Sequence, residues 1–250
     1  MGIIKVKMSQ KISIKQFLMK SGRFERVQDC VAAIRNRNVT INNEVVDNPN
    51  FFFNPKKELV KLDNQKIKSV GKIYLLLNKP AGYLSQKSEG EKTIYDLLMK
   101  LDLTNESIQS LHAVGRLDKD TEGLLILTND GKLSYLITNP KNKIIKKYHA
   151  VLEKAVDINK IKSLEKGTEI EVDGNRYKTK PCKIKMVGEK ELYISIVEGR
   201  KRQVRKMFEV INNKVVYLKR VSIAGLQLGN LKVGDIKQIG REEILKKLEL

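Results

Sequence analysis

Only two cysteines and two histidines occur in the 250 residues. Cys30 and Cys182 stand far apart, in no CxxC or Cys/His spacing. That excludes a disulfide framework or a zinc site and fits a reducing cytosol. His112 and His149 are too few for a histidine-rich metal centre. No stretch approaches the roughly eighteen consecutive apolar residues of a membrane span. The amino terminus, MGIIKVKMSQKISIK, alternates charged with apolar residues and lacks the apolar core of a signal peptide. Gly2 does not open a myristoylation signal, because position six is Val6. A P-loop and a dinucleotide fingerprint are also missing. Together these absences predict a cytoplasmic chain without a disulfide framework, a zinc site or a histidine-rich metal centre.

The abundance is of positive charge. Lys and Arg number 49 against 29 Asp and Glu, giving a net charge of +20. Such an excess implies a polyanionic partner, nucleic acid or an anionic membrane surface. Apolar residues at 41% still allow a folded core. Charge is densest over the first seventy residues. The turn-like Ser69-Val70-Gly71 precedes an apolar run, so the sequence predicts domains at 1–70 and 71–250.

In the first part, Ile14, Phe17 and Leu18 recur at helical spacing, and a second helix is predicted over 27–35 with Val27, Val31 and Ile34 on one face. Val39-Thr40-Ile41 alternates as a strand, and Asn42-Asn43 forms a two-residue hairpin turn before Glu44-Val45-Val46. In spacing from Val31 to Asn42 this segment resembles the alpha-L RNA-binding motif. It differs where Arg26-Val27 replaces the usual Ser-Arg, and where Arg37 replaces a glycine. Arg23, Arg26, Arg35 and Arg37 are its candidate phosphate contacts.

Beyond residue 70, strands are predicted at 73–77, 124–127, 148–152, 192–197 and 215–218, and helices at 93–101, 133–138, 158–164 and 202–211. Their irregular interleaving points to an α+β domain, a mixed, largely antiparallel sheet flanked by helices.

Two clusters can carry chemistry. In Gly115-Arg116-Leu117-Asp118-Lys119-Asp120-Thr121-Glu122-Gly123 a polar, acidic loop runs into a strand apolar on both faces. Such loops commonly bear active sites. A calcium loop is excluded, because Asn129 stands where a bidentate Glu is required. The second cluster has five cations between Arg200 and Lys206, followed by Val204, Met207, Phe208 and Ile211 on one helical face. Arg205 lies at the edge of that face, suited to reach inward toward a carboxylate. Arg200, Lys201, Arg202 and Lys206 suit phosphate. Tyr148, just after Lys146-Lys147, is by default a core residue, or a platform for a base.

NKPAGY, GRLDKDTEGLLILTNDG, KKYHAVL and EGRKRQVRKMFEVINN, with KRVSIAGLQLGNLKVGD after them, resemble the ribosomal RNA pseudouridine synthases of the RsuA family. The resemblance spans 71–240. It implies isomerisation of a uridine in ribosomal RNA by a monomer that needs no metal or cofactor and does not act at a membrane. It implies Asp118 as catalytic carboxylate, Arg205 as its ion-pair partner, and Tyr148 packed on the target base. Arg116 would fill the space the base leaves. The alternatives are the same chemistry on transfer RNA, or a catalytically silent RNA-binding or ribosome-assembly protein.

Overall fold

The apolar strands of the second part assemble side by side. In the computed structural model, which describes residues 11–24, 26–68 and 70–249, they form a nine-stranded mixed sheet. Its main path runs Lys183–Met186, Glu191–Ile196, Lys146–Leu152, Val215–Ile223, Glu122–Thr128, Tyr74–Lys79, Ile236–Gln238. Its pairings are antiparallel except one, where Lys219 and Arg220 lie parallel to Glu122 and Gly123. This is the α+β class expected. Among the described residues no helix is long and apolar enough to cross a membrane.

Burial divides the sheet into two halves. Tyr74–Lys79 is buried at every position and Glu122–Thr128 at all but its first, so both faces of that half are covered. One of its cores gathers Tyr74, Leu76, Leu124 and Ile126 with Leu133, Ile137 and Ile244. Lys146–Leu152 and Glu191–Ile196 instead alternate, so one face is core and the other partly open. Tyr148, Ala150 and Leu152 belong to the buried face.

By its contacts the chain forms two compact units, residues 1–72 with 101–111, and 73–100 with 112–250. Segment 101–111, read from sequence as part of the second domain, groups with the first unit. In that unit helices Ile14–Lys20 and Val27–Arg35 and strand Val39–Ile41 share a core of Phe17, Leu18, Cys30, Ile34 and Val39. The second helix buries Cys30 and Ile34, whereas Val27, expected on the inner face, is 54% exposed. Val27 shares the stripe of Cys30 and Ile34 by its i, i+3, i+7 spacing, but at the first position of the helix it is left outside the packed core. Asn42 and Asn43 both have positive φ, as a primed hairpin turn requires. Arg37 does too, at φ 63, just past the end of the second helix, a left-handed conformation that arginine adopts at some strain.

Candidate active site

The loop 115–121 leads into strand Glu122–Thr128 and is held from beneath by groups of its own unit. Ser85 Oγ donates to Leu117 O at 2.6 Å and accepts from Leu117 N at 3.0 Å. Gly82 N donates to Lys119 O at 2.7 Å. The strongest grip is Lys79, 0% exposed at the end of its strand. Its Nζ donates to the main-chain oxygens of Pro80 (3.0 Å), Asp118 (3.2 Å), Lys119 (3.3 Å) and Thr121 (2.9 Å). Burial pushes this amine down to about 8, against the pull of Asp120, Asp118 and Glu122.

Asp118 is half-buried and lines a cleft of about 460 Å³ with Arg116, Lys146, Tyr148, Arg202 and Arg220. Burial raises its carboxyl above the ordinary range, as does the Asp120 charge, while Arg202, Arg205 and Lys79 pull it down. The result is a carboxylate still surrounded by cations yet more basic than one in water.

The facing wall is the basic loop leading into helix Gln203–Val210. Buried Glu198 organises it, accepting from Tyr177 Oη (2.6 Å), Lys180 N (2.8 Å) and Gln203 Nε2 (2.8 Å). Arg202 Nη1 and Nη2 donate to the two carboxylate oxygens of Asp120, each at 3.1 Å, the bidentate geometry particular to arginine. Arg205, 6% exposed, donates through Nη1 to Val215 O (2.6 Å) and through Nη2 to Asp120 O (3.1 Å), with Asp120 Oδ2 at 3.2 Å. Its Nε has no hydrogen-bond partner among the described residues.

The expected Arg205–Asp118 pair is therefore absent, and Asp120 takes both arginines. Alternate loop residues face different sides. Asp118 faces the cleft, and Asp120 faces a smaller one with Arg202, Arg205 and Glu209. Partial burial pushes Asp120 upward, but the Arg202 hydrogen bonds and the Arg205 charge win and hold it below the usual carboxylate range. Arg205 reaches Asp118 through space, as one of the charges stabilising its anion.

The floor comes from the buried face of the sheet. Tyr148 lies there beside two buried cations that sequence reading did not single out, Lys146 and Arg220. Arg220, 2% exposed, donates through Nε to Leu124 O (2.7 Å) and through Nη2 to Gly115 O (2.9 Å). Lys146 Nζ donates to Ile144 O at 3.0 Å, and burial, aided by Arg220, pushes it down to about 8. The strands at Gly123 and Arg220 approach so closely that a Cβ on Gly123 would lie 2.2 Å from Arg220 O, at φ +107. The signal for Lys79, Lys146 and Arg220 was present, namely cations inside or abutting runs too apolar to face water.

Of the other candidates, Arg116, Arg200 and Lys201 line the same cleft as Asp118, and Lys206 does not. Arg116 is exposed and bonded to Gln86 Oε1. Lys201 is ion-paired with Asp173 at 2.6 Å, and Lys206 Nζ donates to Glu171 O. The Arg200 guanidinium lies 4.3 Å from the Tyr177 ring centroid. Arg23, Arg26, Arg35 and Arg37 are exposed on the amino-terminal unit, where Arg23 sits 3.6 Å from Glu106 and Arg26 2.9 Å from Asp29. Among the described residues no three His, Cys, Asp or Glu side chains converge as metal ligands.

Residues 73–210 match the family model described as RNA pseudouridylate synthase. The chain is 35% identical over 240 residues to an uncharacterized RNA pseudouridine synthase of Aquifex aeolicus, covering 93% of this chain and 92% of that one. It is 33% identical over 212 residues to the ribosomal small subunit pseudouridine synthase A of Escherichia coli, covering 84% and 89%. A crystal structure of a pseudouridylate synthase superposes with a TM-score of 0.66 at 30% identity, over 95% of this chain and 99% of that one.

Proposed function

The chain belongs to the RsuA group of RNA pseudouridine synthases, and from that premise we propose that it isomerises one uridine of ribosomal RNA, with Asp118 as the catalytic carboxylate. That it is an isomerase acting on RNA follows from the family. The observation that carries the assignment is Asp118 itself, half-buried in a cation-rich cleft on a loop held by Lys79. The Escherichia coli relative, named for the small ribosomal subunit, supports ribosomal RNA as substrate.

A stacked uridine cannot enter such a cleft, so the base is extruded at a cost of a few kcal/mol, least in a loop or bulge. Arg116, exposed at the cleft rim, fills the gap in the RNA. Tyr148 packs against the extruded uracil. The C1′–N1 bond breaks, the ring turns, C1′ bonds to C5, and the C5 proton leaves. Asp118 either attacks C1′ or removes a ribose proton, and both routes need it ionised. Arg202, Arg205 and Lys79 supply the positive potential that keeps it so against burial. Arg205 is a positioning residue, tying Asp120 of the catalytic loop to the Val215 strand. Arg200, Lys201, Lys206 and the amino-terminal arginines give salt-sensitive affinity for the phosphate backbone. Residues 1–70 act as the RNA-holding module and 71–250 as the catalytic domain. Mapping pseudouridine in ribosomal RNA from cells lacking the gene tests the substrate. One uridine left unmodified supports it, and an unchanged ribosomal RNA map refutes it.

A further inference from the structure

On the open face of the sheet, opposite Tyr148, residues align in rows across five strands. Strand register places Lys185, Tyr193, His149, Lys219 and Glu122 side by side, a row about 19 Å wide at ordinary strand spacing. Lys183, Ser195 and Lys147 form a second row, and Glu191, Val151 and Tyr217 a third. The aromatic rings form one patch. The His149 centroid is 5.3 Å from that of Tyr193 and 5.7 Å from that of Tyr217, and Lys147 Nζ lies 4.6 Å over Tyr193. Both carboxylates of the patch are engaged, Glu191 by His149 at 2.6 Å and Glu122 by Tyr217 Oη at 3.0 Å. Lys183, Lys185 and Lys219 have no carboxylate within ion-pair distance among the described residues. No described side chain outside these strands bonds to or stacks on Tyr193, His149, Tyr217 or Lys147. Yet the rings remain partly exposed, the His149 side chain to 20%.

We propose that this face is a second RNA-binding surface, taking an unpaired stretch of RNA remote from the reacting uridine. The clustered rings, tilted and edge-on to one another, offer π faces that any base can use, and four lysines against two engaged carboxylates match a phosphate backbone in charge. Because side chains alternate along a strand, this surface and the cleft lie on opposite faces of one sheet. The inference rests on the chain's being an RNA enzyme, but not on which uridine it modifies.

An oligoadenylate of about twelve nucleotides is the probe, since it has no uridine to react and spans a site of ordinary size. Filter binding with the full chain is expected to give salt-dependent affinity. Lys183→Glu with Lys185→Glu should weaken it at least about tenfold and flatten the salt slope by about two. Tyr193→Leu should cost about fivefold or more, and Tyr193→Phe, which keeps the ring, should bind like wild type. Tritium release from uridine-labelled ribosomal RNA at saturating concentration should be unchanged in all three. Wild-type affinity in the lysine and leucine variants, no binding by the wild type, or equal losses for Phe and Leu would each overturn the proposal. Loss of tritium release with oligoadenylate binding intact would instead count against the catalytic reading.

Discussion

Lys79→Met keeps an unbranched buried side chain only one atom shorter and removes the ammonium that donates to four main-chain oxygens at the catalytic loop. Three N–H groups now serve four carbonyl oxygens at 2.9–3.3 Å, that of buried Thr121 among them. Each lost bond from a charged donor costs about 1.5–3 kcal/mol. Against this, the variant no longer buries a cation, a relief of about 3 kcal/mol given the fall from 10.5 to about 8. Three such bonds less that relief leave about 1.5–6 kcal/mol of destabilisation, or roughly 3–24 °C in Tm. The balance shifts with pH in a known direction. Between about pH 8 and 10.5 the unfolded chain holds a proton on this lysine that the folded chain lacks, so wild-type stability at this site rises with pH. Methionine has no such term, and the gap between the two proteins widens, by up to about 1.4 kcal/mol per pH unit. Denaturant titration at pH 7.5 and 9.5 measures it. Single-turnover rates should fall about ten- to a hundredfold as Asp118 loses its fixed position, with RNA affinity within about twofold. A constant or narrowing stability gap, or wild-type turnover, would refute the reasoning.

Arg205→Lys keeps charge but not the fork that joins Val215 O to Asp120, and should lower the single-turnover rate about tenfold or more, whereas Lys206→Ala should alter only affinity, by a few-fold; filter binding beside kinetics separates them. In wild type, turnover should fall as pH drops through the raised Asp118 value, and Asp120→Asn, which removes a like charge and leaves two arginines uncompensated, should move that acid limb to lower pH. A pH–rate profile moving the other way would contradict the charge arrangement. Gly123→Ala should destabilise by roughly 2–4 kcal/mol in thermal unfolding, because a left-handed φ and a backbone clash with Arg220 coincide there.

The strands and helices with clear periodicity were legible in the chain to within a few residues, as with 158–164 for Ile158–Glu165 and 202–211 for Gln203–Val210. So was the Asn42-Asn43 turn, because its chemistry is local. Asp173-Gly174 carries the same signal and joins Glu169–Val172 to Asn175–Lys178, with positive φ at both residues. Its flanks are too polar to read as strands. The short strand Ile236–Gln238 lies at the edge and has no alternation to find. At the site, GRLD and QVR point to the residues, but not to their partners. A loop has no period, so spacing does not reveal that Asp118 and Asp120 face different clefts, and the arginine pairing went to Asp120. Lys79, Lys146 and Arg220 acquire meaning only once three strands bring buried cations to one floor and to the underside of one loop.

The most direct test of Asp118 is tritium release from RNA labelled at uridine C5, comparing the wild-type chain with Asp118→Asn. Bond formation at C5 expels that proton, and an amide can neither attack C1′ nor accept a ribose proton. Steady release is expected from the wild type on ribosomal RNA and none above background from Asp118→Asn, with equal RNA affinity and an unfolding free energy unchanged to within about 1 kcal/mol. Substantial release by the folded, RNA-binding Asp118→Asn variant would contradict it.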